Sequence, residues 1–340
     1  MIISVSGFGY TGSGAVKDYL SEFSGISFSK EEFQFLCGVD GLVDLARNIN
    51  TPINRTGSSI YAIRRYYAFT KRIGKSFCKL YKVKKKDYVS AINDFINDIT
   101  LAQWKDFELK DGVINHILVD ELLSQRIVPH LERRLKKQIN FFPMKTVRLS
   151  GPTCNFFEAA RKHLNRLLSL MGLSDKKIVI LDQAFSANNP QECFSFFSDS
   201  KIIIVDKDPR DLYVFAREML PGYDHFMPIN NVETFVNYYK AIRDRQPYKN
   251  EDDRVLLLRF EDLIYNYEET TRRIKLFLNL PEKKNDFLFF NPNISIGNTQ
   301  LFKKYKQYKD DIKYIESQLS DYLYDFESAK KYNADSKMFI

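Results

Sequence analysis

Eight residues near the N-terminus could hold an anion. Gly7-Phe8-Gly9-Tyr10-Thr11-Gly12-Ser13-Gly14 carries four glycines and two aliphatic hydroxyls. It follows the apolar, β-rich run Ile2-Ile3-Ser4-Val5-Ser6 and precedes Ala15-Val16-Lys17-Asp18-Tyr19-Leu20, which has the pattern of an amphipathic helix. Glycine lets the backbone turn its N–H groups inward with no Cβ in the way. The helix N-terminus adds roughly half a positive charge and unpaired donors. Strand, glycine loop and helix together make an anion site, most often for phosphate. Gly7 and Gly12 have the glycine spacing of a Walker loop, but Ser13-Gly14 follow where Lys-Ser/Thr would stand, and the first lysine is Lys17, on the helix. The alternative is a tight turn that binds nothing.

A second block lies two hundred residues on: Lys201-Ile202-Ile203-Ile204-Val205-Asp206-Lys207-Asp208-Pro209-Arg210-Asp211. A buried strand ends in alternating charges. Asp208 can cap the next helix, with Pro209 in its first position. Lys207 and Arg210 then flank the C-terminal end of the strand, where ligands bind in open α/β sheets.

These blocks need a scaffold, and the chain's patterning supplies one. Apolar β-rich runs recur at 2–6, 25–29, 146–150, 178–182, 201–206 and 255–260. The last three are nearly continuous, as strands buried on both faces must be. Helical spacing fills the intervals: 156–171 stopped by Gly172, 212–220 stopped by Pro221-Gly222, then 232–242 and 267–278. The expected fold is α/β, a P-loop-type doubly wound parallel sheet flanked by helices. Residues 55–140 break the rhythm and read as a helical, basic insertion, with helices over 87–104 and 112–138 and no strand. The whole of 1–340 is expected to form one domain.

Charge is unevenly spread. The net charge is +8, yet twelve Lys and Arg and no acid fall between 45 and 86. Tyr and Phe interleave with them. Such a block either attracts an acidic polymer or membrane, with Arg64 and Arg65 as substrate contacts, or is a solvated helix face over packed aromatics. Cys37, Cys78, Cys154 and Cys193 lack C-x-x-C spacing and read as free thiols; the four histidines are scattered, so no metal is expected. No apolar run approaches the roughly 18 residues of a membrane span. With the first strand starting at residue 2, a cytoplasmic location is expected.

The two anion blocks in this order resemble the sulfotransferases that use 3′-phosphoadenosine-5′-phosphosulfate (PAPS), with the nearest motif likeness to the heparan sulfate type and to bacterial carbohydrate sulfotransferases. The stretch Val255-Leu256-Leu257-Leu258-Arg259-Phe260-Glu261-Asp262-Leu263 through Leu280 is similar to the family's late strand–helix signature. The likeness covers 1–36 and about 175–310 and leaves 40–140 unmatched. It implies that Gly7, Gly9, Tyr10, Thr11, Gly12, Ser13, Gly14 and Ala15 hold the 5′-phosphosulfate. Lys207 and Arg210 would hold the 3′-phosphate, and the basic segment 295–304, with Lys303, would close over the nucleotide. Phe28-Ser29-Lys30-Glu31-Glu32-Phe33 resembles the segment carrying the catalytic glutamate of the heparan sulfate enzymes, which makes Glu32 the base. From residues alone, Glu31 and Glu32 read rather as the exposed first turn of a helix, where acids are favoured. Asp182 is the rival base, standing where cytosolic members have histidine. Tyr10 stands where the family has Lys or Arg, and the missing charge could come from Lys17, Arg148 or the segment 295–304; Arg148 is also a candidate substrate contact.

The implied activity is transfer of a sulfuryl group from PAPS to a hydroxyl or amine of an acceptor, expected to be a carbohydrate, leaving adenosine 3′,5′-bisphosphate and needing no metal. Nucleic acid is not an expected partner. Two other classes stay open. One is a P-loop kinase, which the absent Walker lysine disfavours. The other is a catalytically degenerate protein of the same fold that binds polyanions.

Overall fold

The computed structural model describes residues 1–53, 57–106, 127–136, 145–219, 227–243, 252–281 and 288–329. Five strands, β1 (Ile2–Gly7), β2 (Ile26–Glu32), β5 (Ile178–Asp182), β6 (Ser200–Asp206) and β7 (Val255–Arg259), form one parallel sheet in the order β2-β5-β1-β6-β7. The chain is an α/β fold with helices on both faces of that sheet. Side chains alternate across the strands. Ile202 and Ile204 pack with Val179, Leu181, Tyr66, Phe69, Phe95 and Leu164 on one face. Ile203 and Val205 pack with Ile3, Val5, Val16, Leu20 and Ile274 on the other. The near-continuous apolar runs follow directly, because each strand must satisfy both cores.

Helices Gly57–Tyr81, Lys85–Asp98 and Phe156–Leu170 cover the first face. Helices Ser13–Ser21 and Tyr267–Leu278 cover the second. A third cluster joins Pro209–Met219 to Val232–Ala241 and Lys309–Gln318.

Residues 55–140 depart from the expected all-helical insertion. The helix expected over 87–104 ends at Asp98, and Ala102–Asp106 is strand β3. It pairs antiparallel with β4 (Lys145–Leu149), so the run at 146–150 belongs to a two-stranded ribbon and not to the parallel sheet. The reason is alternation: Thr146 and Arg148 interrupt β4's apolar residues, which suits a ribbon with one wet face. Of the helix expected over 112–138, Val128–Leu135 is helical and the earlier part lies outside the described residues. In the basic block the aromatics Tyr66, Phe69, Phe77 and Tyr88 are buried while most of the cations face out. All four thiols are free, although Cys37 and Cys193 meet with their sulfurs 3.1 Å apart. Among the described residues no helix is long and apolar enough to cross a membrane, and no His/Cys/Asp/Glu group is arranged for a metal.

The C-terminal end of β6 is held by buried charge. Arg243 clamps Asp206 through Nε to Oδ2 at 2.9 Å and Nη2 to Oδ1 at 2.6 Å. The same guanidinium lies 4.2 Å from the Phe8 ring and 3.5 Å from Tyr239, so it ties β6 to the glycine loop. Asp206 also accepts the Lys207 backbone N–H at 2.8 Å. Glu261, fully buried just past β7, accepts the Asp208 backbone N–H at 2.8 Å. Burial pushes its carboxyl up to about 7, against the opposing pull of Arg259.

Removing one partner of a buried ion pair strands the other charge, at a cost of about 3–5 kcal/mol. Arg243→Ala is therefore expected to destabilise strongly in denaturant titrations. Arg243→Ala/Asp206→Ala should cost clearly less than the sum of the two single changes. Glu261 sets a pH dependence. Its folded-state pKa lies above its unfolded value, so the folded protein holds the extra proton. Its contribution is complete below the unfolded pKa and is lost as pH rises through about 7. Stability is expected to fall over this window by up to ~1.4 kcal/mol per pH unit from this group. Glu261→Gln keeps the acceptor for Asp208 and should flatten the slope between the two pKa values.

Candidate functional site

β1 lies between β5 and β6, where the connections diverge, and the crevice at the C-terminal ends of such strands is where open α/β sheets bind ligands. A cleft of 780 Å³ opens there. Its walls come from the glycine loop, the ends of β2 and β5, the Lys207 turn, Phe260 and the segment 288–298.

The loop is shaped by what it lacks. Gly9 and Gly12 have φ of 86° and 94°, values that favour glycine. A Cβ on Gly12 would lie 2.3 Å from Cδ2 of Phe260, and one on Gly7 would lie 2.3 Å from the Thr11 hydroxyl. That hydroxyl accepts the Phe8 N–H at 3.1 Å and closes the turn. Helix Ser13–Ser21 has Gly12 at its N-cap and no side-chain cap, leaving its first donors available to a ligand.

Gln183, which the sequence did not single out, cross-braces the loop. Its backbone turns at φ 50° immediately after β5. Its Oε1 accepts the Gly7 N–H at 3.1 Å and its Nε2 donates to the Ser13 hydroxyl at 2.9 Å. Its own N–H donates to Val5 O at 3.0 Å. Behind it, Phe185 N donates to Ser4 Oγ at 3.0 Å and Ser6 Oγ donates to Phe185 O at 2.9 Å. The available signal was positional: a polar residue directly after a buried strand in a parallel sheet.

Glu32 and Asp182 are register partners at the ends of β2 and β5 and both line the cleft. Glu32 is in a strand, not in the first turn of a helix. Their states differ. The Asp182 carboxylate is bonded to Lys17 Nζ. The Glu32 carboxylate is exposed and makes no hydrogen bond or ion pair with the described residues.

Lys207 is 2% exposed and still lines the cleft. Its Nζ sits 4.9 Å from the centroids of both Phe215 and Phe260 and makes no hydrogen bond with the described residues. Burial lowers its pKa, opposed by the carboxylates of Asp211, Glu261 and Asp208. An anion arriving in the cleft would favour the ammonium. Tyr10, a third of its surface exposed, rests on Phe215 with centroids 5.7 Å apart and also lines the cleft.

Other sequence-derived candidates lie elsewhere. Arg210 turns away from the cleft. It clamps Asp208 through Nε at 3.0 Å and Nη2 at 2.8 Å, reaches Glu316 at 3.0 Å and lies 4.1 Å from the Phe302 ring. It fastens the chain's later helices to the turn. Lys303 bonds Gln300 Oε1 at 2.8 Å on the surface and is not part of the cleft wall. Arg65 pairs with Asp40 at 2.9 Å, Arg64 stacks 5.5 Å from Tyr61, and Arg148 lies in the β3–β4 ribbon; none of the three lines the cleft. Among the described residues, Lys17 and Lys207 are the cations that do. Sequence reasoning also missed the wall formed by Phe260, Phe289, Phe290 and Asn291.

No family model and no curated protein matches the sequence. Among solved structures, the fold is similar to a sulfotransferase domain from the curacin biosynthetic pathway. Identity is 16% and the TM-score 0.39, over 94% of this chain and 97% of that one. It is also similar to sulfotransferase STF1 from Mycobacterium tuberculosis, with 11% identity and a TM-score of 0.37, over 94% of this chain and 76% of that one.

Proposed function

We propose that the protein is a sulfotransferase that binds PAPS in the 780 Å³ cleft and transfers its sulfuryl group to an acceptor hydroxyl. The observation that carries this is the convergence of two anion-holding elements, the glycine loop with its uncapped helix and the buried Lys207, on one cleft that also holds a free carboxylate. The motif resemblance assigns those two elements to the two ends of one nucleotide. The loop donors take the 5′-phosphosulfate and Lys207 takes the 3′-phosphate through a charge-assisted bond. Lys17, anchored by Asp182, adds positive charge beside the loop. Glu32 accepts the acceptor proton as the new S–O bond forms. The bond from sulfur to the 5′-phosphate breaks, and adenosine 3′,5′-bisphosphate leaves with the electron pair. Positioning and charge neutralisation supply most of the catalysis, as in phosphoryl transfer. Asp182 acts through Lys17, as a positioning residue. A carbohydrate acceptor is the class the motif likeness favours.

Adenosine 3′,5′-bisphosphate is expected to raise the melting temperature by binding the folded state, with ATP giving the smaller shift. Lys207→Ala should weaken the bisphosphate by about ten- to a hundredfold, the worth of one bond to a charged group. It should leave an analogue without the 3′-phosphate nearly untouched; a shift with ATP alone would point to a kinase instead. Glu32→Gln should cut kcat by about 10²–10⁴-fold in transfer assays with labelled PAPS, with little change in nucleotide affinity. A variant that keeps full turnover would remove Glu32 from the role of base.

A further inference from the structure

The basic, aromatic-rich block that the cleft does not use has a cavity of its own. Helices Gly57–Tyr81 and Lys85–Asp98 enclose a pocket of 610 Å³, within the range of about 300–1,000 Å³ for small-molecule sites. Its walls are largely apolar, built on Tyr67, Tyr88, Val89 and Ile92. Three lysines, Lys71, Lys75 and Lys85, line it as well. All three are exposed, and none is paired with a carboxylate among the described residues. Among the described residues no acidic side chain lines the pocket.

The floor is built, not incidental. A Cβ on Gly74 would lie 2.6 Å from Cε1 of Tyr88, so the missing side chain admits the tyrosine ring against the facing helix. Tyr88 is then fixed by its hydroxyl, which donates to Thr70 O at 2.7 Å, and by Phe77 with centroids 5.1 Å apart. Lys71 lays its ammonium 4.3 Å from the Tyr67 ring centroid. The spacing of Lys71 and Lys75 puts both on one side of their helix, while Lys85 stands at the start of the other. An apolar slot bordered by cations of one sign is complementary to one kind of molecule: an aliphatic tail ending in an anion.

We propose that this pocket binds a single-chain amphipathic anion, with its tail between the two helices and its carboxylate, sulfate or phosphate head held by Lys71, Lys75 and Lys85. The slot between the two helices, 610 Å³ in volume, is sized for one small molecule. This assignment does not depend on sulfuryl transfer in the cleft.

Decanoate, hexanoate and 1-decanol are the probes, titrated into the full chain by calorimetry. Decanoate should bind one per chain, and hexanoate roughly two-hundredfold more weakly, since each of the four missing CH₂ groups is worth about fourfold. Lys71→Gln/Lys75→Gln/Lys85→Gln alters only exposed residues. It should weaken decanoate tenfold or more and leave 1-decanol unchanged. Cys78 lines the pocket, so bound decanoate should slow its labelling by a thiol reagent, with Cys78→Ser giving the background from the other thiols. No decanoate binding, equal loss of decanoate and 1-decanol in the triple variant, or unaltered Cys78 labelling at saturation would each overturn the proposal. So would binding to anionic vesicles without uptake of decanoate.

Discussion

One missing side chain governs the cleft. At Gly12 the ring of Phe260 occupies the space a Cβ would need, and the backbone there takes a φ of 94° that costs other residues roughly 1–2 kcal/mol. Phe260 is fixed from behind, its N–H donating to Asp206 O at 2.8 Å. Its ring also carries the Lys207 ammonium. The ends of three strands, β1, β6 and β7, are thus brought to one point by one aromatic ring. Any group added at position 12 moves the ring, and with it the cation and the shape of the cleft.

The turn from 206 to 211 shows how a run of alternating charges divides its labour. Asp206 anchors Arg243, and Asp208 holds Arg210 and the backbone of Tyr324. Asp211 accepts the Gln300 N–H at 2.7 Å, and burial raises its pKa. Four of the five charged side chains at 206, 207, 208, 210 and 211 serve the fold; Lys207 alone faces the cleft. The carboxylates behind it, Asp211, Glu261 and Asp208, oppose the burial that lowers the lysine's pKa, and an anion in the cleft would favour the ammonium further.

How far the sequence could be read follows from this division. The strands at 178–182 and 201–206 were legible because burial on both faces leaves no polar interruption. β3 was not, since Gln103, Trp104 and Lys105 look helical beside the preceding amphipathic stretch, and only pairing with β4 decides otherwise. The glycine loop and Lys207 were legible because their chemistry is local. Gln183 and Phe260 were not, because their roles in the loop rest on contacts with Gly7 and Gly12, which lie far from them in the sequence. Arg210 had the right charge in the right turn, and its direction is set by Asp208 and Glu316, which spacing does not reveal.

The position of β1 has a consequence for synthesis. Its only neighbours in the sheet are β5 and β6, which lie about 175 and 200 residues downstream. At roughly 5–20 residues per second, a ribosome needs about 10–40 s to make them. For that time the apolar residues Ile2, Ile3 and Val5 have no strand to pair with. The helices at 57–98, which contact one another locally, can associate first. The nascent chain is therefore open to aggregation at β1, and the cleft is not complete until its 288–298 wall leaves the tunnel.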